Sequence, residues 1–156
     1  MGINKGISFL ETIITIAILA IIIAIITPSL STYKQTQTLK NTGDDIISLL
    51  NQARMQTLSS VNSTYYSVHF ETGRAVLFTG GTFSEPNSSN NQITFDSLVN
   101  IPATGGINLN GGGSNVSFTR LTGDTNQYGT IIVQLTSDAT KQITININKA
   151  GIVSSN

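Results

Sequence analysis

Few residues in this chain of 156 could do chemistry, and those few are scattered. His69 is the single histidine and there is no cysteine, so neither a zinc site nor a cysteine–histidine nucleophile pair can be assembled. Its place in the alternating run Tyr65-Tyr66-Ser67-Val68-His69-Phe70 predicts a histidine on a strand surface. The acidic residues stand singly apart from Asp44-Asp45, whose adjacency on a helix sends them to different faces, so no paired-carboxylate acid/base site is expected. Gly111-Gly112-Gly113 lacks the following Lys-Ser/Thr of a phosphate loop and reads as a flexible tip. Asp124-Thr125-Asn126-Gln127-Tyr128-Gly129 spaces oxygens as the opening of a calcium loop does, which makes Asp124 and Asn126 weak candidates for a calcium ion. The twelfth position of such a loop is Leu135 instead of a bidentate Glu, and Thr130 to Thr136 reads as strand, which favours a turn. The expectation is a chain with no enzymatic activity, no metal and no cofactor.

Composition narrows the classes further. Eight Lys+Arg balance eight Asp+Glu and only 10% of residues are charged, so no global field steers the chain toward nucleic acid or anionic lipid. After Arg74 the only cations are Arg120, Lys141 and Lys149, too few for strong attraction to phosphates, and this argues against DNA as a partner. The triplets at Asn62, Asn87 and Asn115 match glycosylation acceptors, although a chain rich in Ser, Thr and Asn yields these by chance.

The elements that must position these residues are of two kinds. From Phe9 to Ile26 the chain is apolar except for Glu11, Thr12 and Thr15, which reaches the lower end of a membrane-spanning length. Pro28 follows, and because proline lacks an N–H donor and crowds the preceding turn, a bend is expected there. From Ser29 to Val61 the positions Ile46, Leu50, Ala53, Thr57, Leu58 and Val61 fall at helical spacing and predict an amphipathic continuation. Beyond Asn62 short runs predict strands at Tyr65 to Phe70, Ala75 to Phe78, Gln92 to Phe95, Val116 to Thr119, Thr130 to Thr136 and Gln142 to Ile147. Thr72-Gly73 and Ala150-Gly151 read as hairpin corners, while Asn87 to Asn91 and Thr104 to Ser114 read as loops. The expected architecture is α+β: a long N-terminal helix, half transmembrane and half amphipathic, packed on an antiparallel sheet.

Lys5-Gly6-Ile7-Ser8-Phe9-Leu10-Glu11 sets a short basic leader before Gly6 and a lone carboxylate beyond it, at the edge of the apolar helix. A charge so placed costs several kcal/mol near hydrocarbon and is by default functional. The segment resembles the type IV prepilin signature. The resemblance implies cleavage between Gly6 and Ile7 by a prepilin peptidase, N-methylation of Ile7, and Glu11 as the fifth mature residue and an assembly contact. Pro28 then occupies the twenty-second mature position, where many pilins also carry a proline. A conventional secretory signal cut near Ser31 fits less well, because a carboxylate would open its apolar region. A second resemblance runs through Leu50-Asn51-Gln52-Ala53-Arg54, Val68, Phe118, Gly123, Gly129-Thr130-Ile131 and Ile143 to Gly151, and is similar to the H-type (FimT-like) pseudopilins.

Together these imply the pilin fold and a structural subunit of a type IV pilus or a type II secretion pseudopilus. The implied organisation is a leader at 1–6, a transmembrane and assembly helix at 7–28, an amphipathic half at 29–61 and a β-rich domain at 62–156. The implied partners are other pilin or pseudopilin subunits, the prepilin peptidase and the inner-membrane assembly machinery. The implied location is a single-pass membrane precursor, then an extracytoplasmic filament. The alternative is a minor tip subunit acting as a binding or adhesion module.

Overall fold

The structure is a computed structural model describing residues 8–156, apart from the side chains of residues 25–29. It divides into two compact units, one reaching to Thr36 and the other comprising Gln37–Asn156. Helix α1 (Phe9–Leu58) contributes to both.

In the first unit no large side chain from Phe9 to Ile23 is buried: Phe9 is 82% exposed and the least exposed, Ile22, still 45%. The hydroxyls here bond back along the helix, Thr12 to the Ser8 carbonyl at 3.3 Å and Thr15 to the Glu11 carbonyl at 2.7 Å. Such back-bonding satisfies a polar group without an outside partner. The surface is therefore apolar all round, with Glu11 its one charge from Phe9 to Ala24.

The expected transmembrane half is overturned. Among the described residues no helix is long and apolar enough to cross a membrane. Beyond Leu30 the helix carries Lys34, Lys40, Asp44 and Asp45. The same finding conflicts with the expected single-pass membrane precursor. Pro28, where a bend was expected, lies within α1, and its side chain is among those not described.

In the second unit the helix turns a stripe inward. Leu39, Thr42, Ile46, Leu49, Leu50, Ala53 and Thr57 are buried at spacings of three and four, one face of a 3.6-residue helix. Burial of each large aliphatic side chain contributes about 1.5–3 kcal/mol. Thr57 ties the end of the helix to the backbone at Tyr66, its hydroxyl donating to the Ala53 carbonyl at 2.8 Å and accepting from the Tyr66 N–H at 2.8 Å. A 3-10 turn at Val61–Ser63 makes the connection, with Ser60, Asn62 and Ser63 at positive φ.

Nine strands come after this turn: β1 (Tyr66–Glu71), β2 (Arg74–Thr79), β3 (Asn91–Thr94), β4 (Val99–Asn100), β5 (Ile107–Leu109), β6 (Asn115–Ser117), β7 (Gly129–Leu135), β8 (Asp138–Ile147) and β9 (Val153–Ser155). They form two antiparallel sheets, where the strand pattern alone read as one. The first has the order β3-β2-β1-β6. In the second, β4-β7-β8-β9, the short β5 also pairs with β7, opposite Gly129 to Ile131, while β4 pairs opposite Gln134 and Leu135. The expected loop from Thr104 to Ser114 thus contains a strand.

The core collects Val68, Phe70, Ala75 and Leu77 from the first sheet and Ile131, Val133, Leu135, Ile145 and Ile147 from the second, together with the helix stripe. Val76 and Phe78 are buried too, at 0% and 2% exposure, yet stand outside this core cluster. Alternation along β2 puts them on the opposite face, where the segment after Thr79 lends Phe83, edge-on to Phe78 at 5.4 Å.

Candidate functional site

The residues with the strongest claim on function lie at the start of α1. Glu11 sits in the first turn, where the helix dipole favours a carboxylate, and among the described residues it makes no ion pair. Gly6 and Ile7, the expected cleavage site, lie outside the described residues. The described part of this region is a lone anion on an otherwise apolar helical surface whose large side chains are exposed.

The second unit holds one charged node. All five N–H groups of Arg74 are engaged: Glu71 accepts at 2.7 and 2.9 Å, Glu85 at 2.8 Å from each terminal nitrogen, and Gln92 at 3.0 Å. The hydrogen bonds from Arg74 hold the Glu71 carboxyl below its usual titration range, with a smaller contribution from His69. The two carboxylates in turn raise the Arg74 guanidinium. His69 adjoins this node. Its Nδ1 lies 2.5 Å from Asn115 Oδ1 and 3.5 Å from Ser114 Oγ, its Nε2 lies 3.5 Å from Glu71, and Phe83 stacks on its ring at 4.0 Å. Asn115 thus takes the nitrogen a serine nucleophile would need, and the cluster is built as a clasp. It fastens the segment carrying Phe83 and Glu85 over Val76 and Phe78.

The clasp has a pH dependence whose sign is set by Glu71. A carboxyl with a depressed folded-state pKa adds stability that is complete above its unfolded value and is lost as pH falls through the folded one. Amide exchange of residues 80–90, corrected for the intrinsic rate, should therefore speed up as pH falls below the ordinary range of a glutamate carboxyl. Arg74→Ala should produce the same loosening at neutral pH, about tenfold or more. Unchanged protection in Arg74→Ala would mean that the aromatic contacts alone fasten the segment.

The two calcium candidates are not brought together. Asp124 lines a cleft of about 450 Å³ with Arg54, Thr122, Lys149 and Ala150. Asn126 lines a separate one with Tyr65, Ser117, Arg120 and Gln127, and its backbone carbonyl accepts from the Asn110 side chain at 2.9 Å. Two cations beside Asp124 oppose a calcium ion, and among the described residues no group of three or more His, Asp or Glu could hold a metal. Gly111, Gly112 and Gly113 all have positive φ, a backbone suited to a tight excursion. Asn115 is half-buried and bonded to His69.

No family model, curated protein or solved structure matches this chain. Its function has to be sought in its own surfaces. Sequence reasoning missed the Arg74 node, although Glu71 and Arg74 flank a hairpin corner three residues apart; Glu85, beyond the next strand, carried no signal. It also missed Leu121, which lies at φ +72 and is 81% exposed.

Proposed function

We propose that this chain is a structural subunit of a filament of the type IV pilus or pseudopilus kind, assembled by packing the apolar start of α1 against the same segment in neighbouring copies. The observation that carries this reading is the helical surface from Phe9 to Ile23, apolar on every side and at least 45% exposed at each large residue. A helix apolar all round is stable only when covered. Among the described residues no helix is long and apolar enough to cross a membrane, and the second unit has its own core. Identical helices from other copies supply a cover of matching length and chemistry. The prepilin-like motif at Gly6-Ile7 and Glu11 supports the same reading, with a prepilin peptidase removing the leader before assembly.

The test introduces charge into that surface. Ile16→Lys with Leu19→Lys should leave the thermal transition of the second unit unchanged, because neither side chain belongs to its core. The same variant should be lost from sheared filaments, since each unpaired lysine among packed apolar helices costs several kcal/mol. Recovery of the double variant in filaments at the wild-type fraction would overturn the proposal.

A further inference from the structure

On the second unit, one patch combines exposed apolar side chains with cations that have no ion-pair partner. The turn Thr119–Asp124 is closed by the Gly123 N–H to the Thr119 carbonyl at 2.9 Å and the Thr119 N–H to the Asp124 carbonyl at 2.8 Å. It holds Leu121 in the left-handed region, which L side chains disfavour, with 81% of the residue exposed. Neither backbone comfort nor burial accounts for a leucine there. The turn around Gly151 abuts it so closely that a Cβ on Gly151 would meet the Gly123 carbonyl oxygen, and the next residue, Ile152, is 58% exposed. Arg120 and Lys149 flank the two apolar residues, both exposed and, among the described residues, without an ion pair.

The complementary charge lies elsewhere on the same unit. Asp44 and Asp45 are exposed on α1 and likewise make no ion pair among the described residues. Asp44 stands about 160° round the helix from the buried Ile46, on its solvent side. Arg54, which fastens both turns by donating to the Gly123 carbonyl at 3.0 Å and the Ala150 carbonyl at 3.4 Å, lies about 15 Å further along the helix axis than Asp44. Lys149 shares its cleft with Asp124 and Asp44 shares one with Lys40, neither as an ion pair, and the two patches are displaced along one helix. A second copy shifted along that axis would bring them together, and such a head-to-tail contact need not close.

We propose that Arg120, Leu121, Lys149 and Ile152 dock against the Asp44–Asp45 surface of a second copy of this chain. The open sense of the contact rests on the filament reading; the docking itself does not. The two aspartates meet the two free cations, and the exposed stem of Leu121 is covered against the solvent side of α1. Both charges come from one neutral chain, so every copy brings the same complement and successive contacts are equivalent.

The absence of cysteine makes the test direct. Full-length copies carrying Asp45→Cys, mixed with copies carrying Arg120→Cys and mildly oxidised, should form a disulfide-linked pair seen on non-reducing gels. Asp45→Cys mixed with Ser88→Cys should not. Arg120→Glu with Lys149→Glu should weaken copy-to-copy association about tenfold at low salt, and less at high salt. Adding Asp44→Lys and Asp45→Lys to that same chain should restore it. Cross-linking no greater than in the Ser88→Cys control overturns the contact, as does a fourfold variant that folds but does not recover. Retention of the patch on an anionic polysaccharide without copy-to-copy cross-linking overturns it too. Filaments that assemble with no such cross-link sink this contact and spare the helix-packed filament. Cross-links that persist while Ile16→Lys with Leu19→Lys leaves filaments intact do the reverse.

Discussion

Glu11→Ala should still be cleaved after Gly6 yet be recovered poorly in sheared filaments, and Glu11→Gln should fail in the same way. Glu11 is the one charge on the described apolar surface of α1, and among the described residues it has no ionic partner. In an assembly of packed helices it must find one. The amino group that the proposed cleavage would expose on Ile7 of a neighbouring copy is a cation of suitable size, and pairing the two would remove both charges from an apolar setting at once. Deleting one member of such a buried pair typically costs about 3–5 kcal/mol, because the survivor is left uncompensated. Glutamine keeps the shape and loses the charge, so a steric role would spare Glu11→Gln and a charge role would not. Immunoblot mobility reads cleavage, and the fraction of subunit in sheared filaments reads assembly. Normal incorporation of both variants would show that Glu11 makes no assembly contact.

The strands were legible where alternation was long and both flanks were punctuated. Thr130 to Thr136 alternates buried Ile131, Val133 and Leu135 with half-buried or exposed neighbours, and β7 lies one residue away from that run at each end. Ile107 and Leu109 alternate equally well, but over three residues among Gly and Asn, so β5 was hidden in a stretch that read as loop. β4 is only two residues long and is defined by its partner Leu135 rather than by its own sequence. The first helix misled in a different way. Its apolar run read as a span, but among the described residues no helix is long and apolar enough to cross a membrane.

The candidate residues divide along the same line between local and distant causes. The lone carboxylate Glu11 is conspicuous in sequence because its neighbours are all apolar or hydroxylic. His69 was expected on a strand surface, but its partners come from β6 and from the segment around Phe83, which no local pattern connects to it. Asp124 and Asn126 looked like a ligand pair by spacing. The turn that ends at Asp124 and the bond from Asn110 to the Asn126 carbonyl separate them into different clefts. The positive φ of Leu121 has no sequence signal at all, since leucine is among the last residues one would place there.

Gly151→Ala should lower the stability of the second unit by about 2–4 kcal/mol and its midpoint of thermal unfolding by about 10 °C. Two independent penalties add. At φ +72 an alanine takes on left-handed strain of about 1–2 kcal/mol. Its Cβ would also collide with the Gly123 carbonyl oxygen and fall 3.0 Å from Arg54 Nε, and the nearer neighbour is backbone, which cannot swing aside as a flexible side chain could. Relief requires the Thr119–Asp124 turn to move, and with it the Gly123 carbonyl that accepts from Arg54 at 3.0 Å. Gly73→Ala is the control: no atom lies within 4 Å of its Cβ position and its φ is not positive, so its effect should stay within about 0.5 kcal/mol. Because Leu121 and Ile152 ride on the two turns that Gly151 and Gly123 lock together, the same substitution should weaken cross-linking between positions 45 and 120 at temperatures where the unit is still folded. Equal stability of Gly151→Ala and Gly73→Ala would mean that the two turns do not need their close approach.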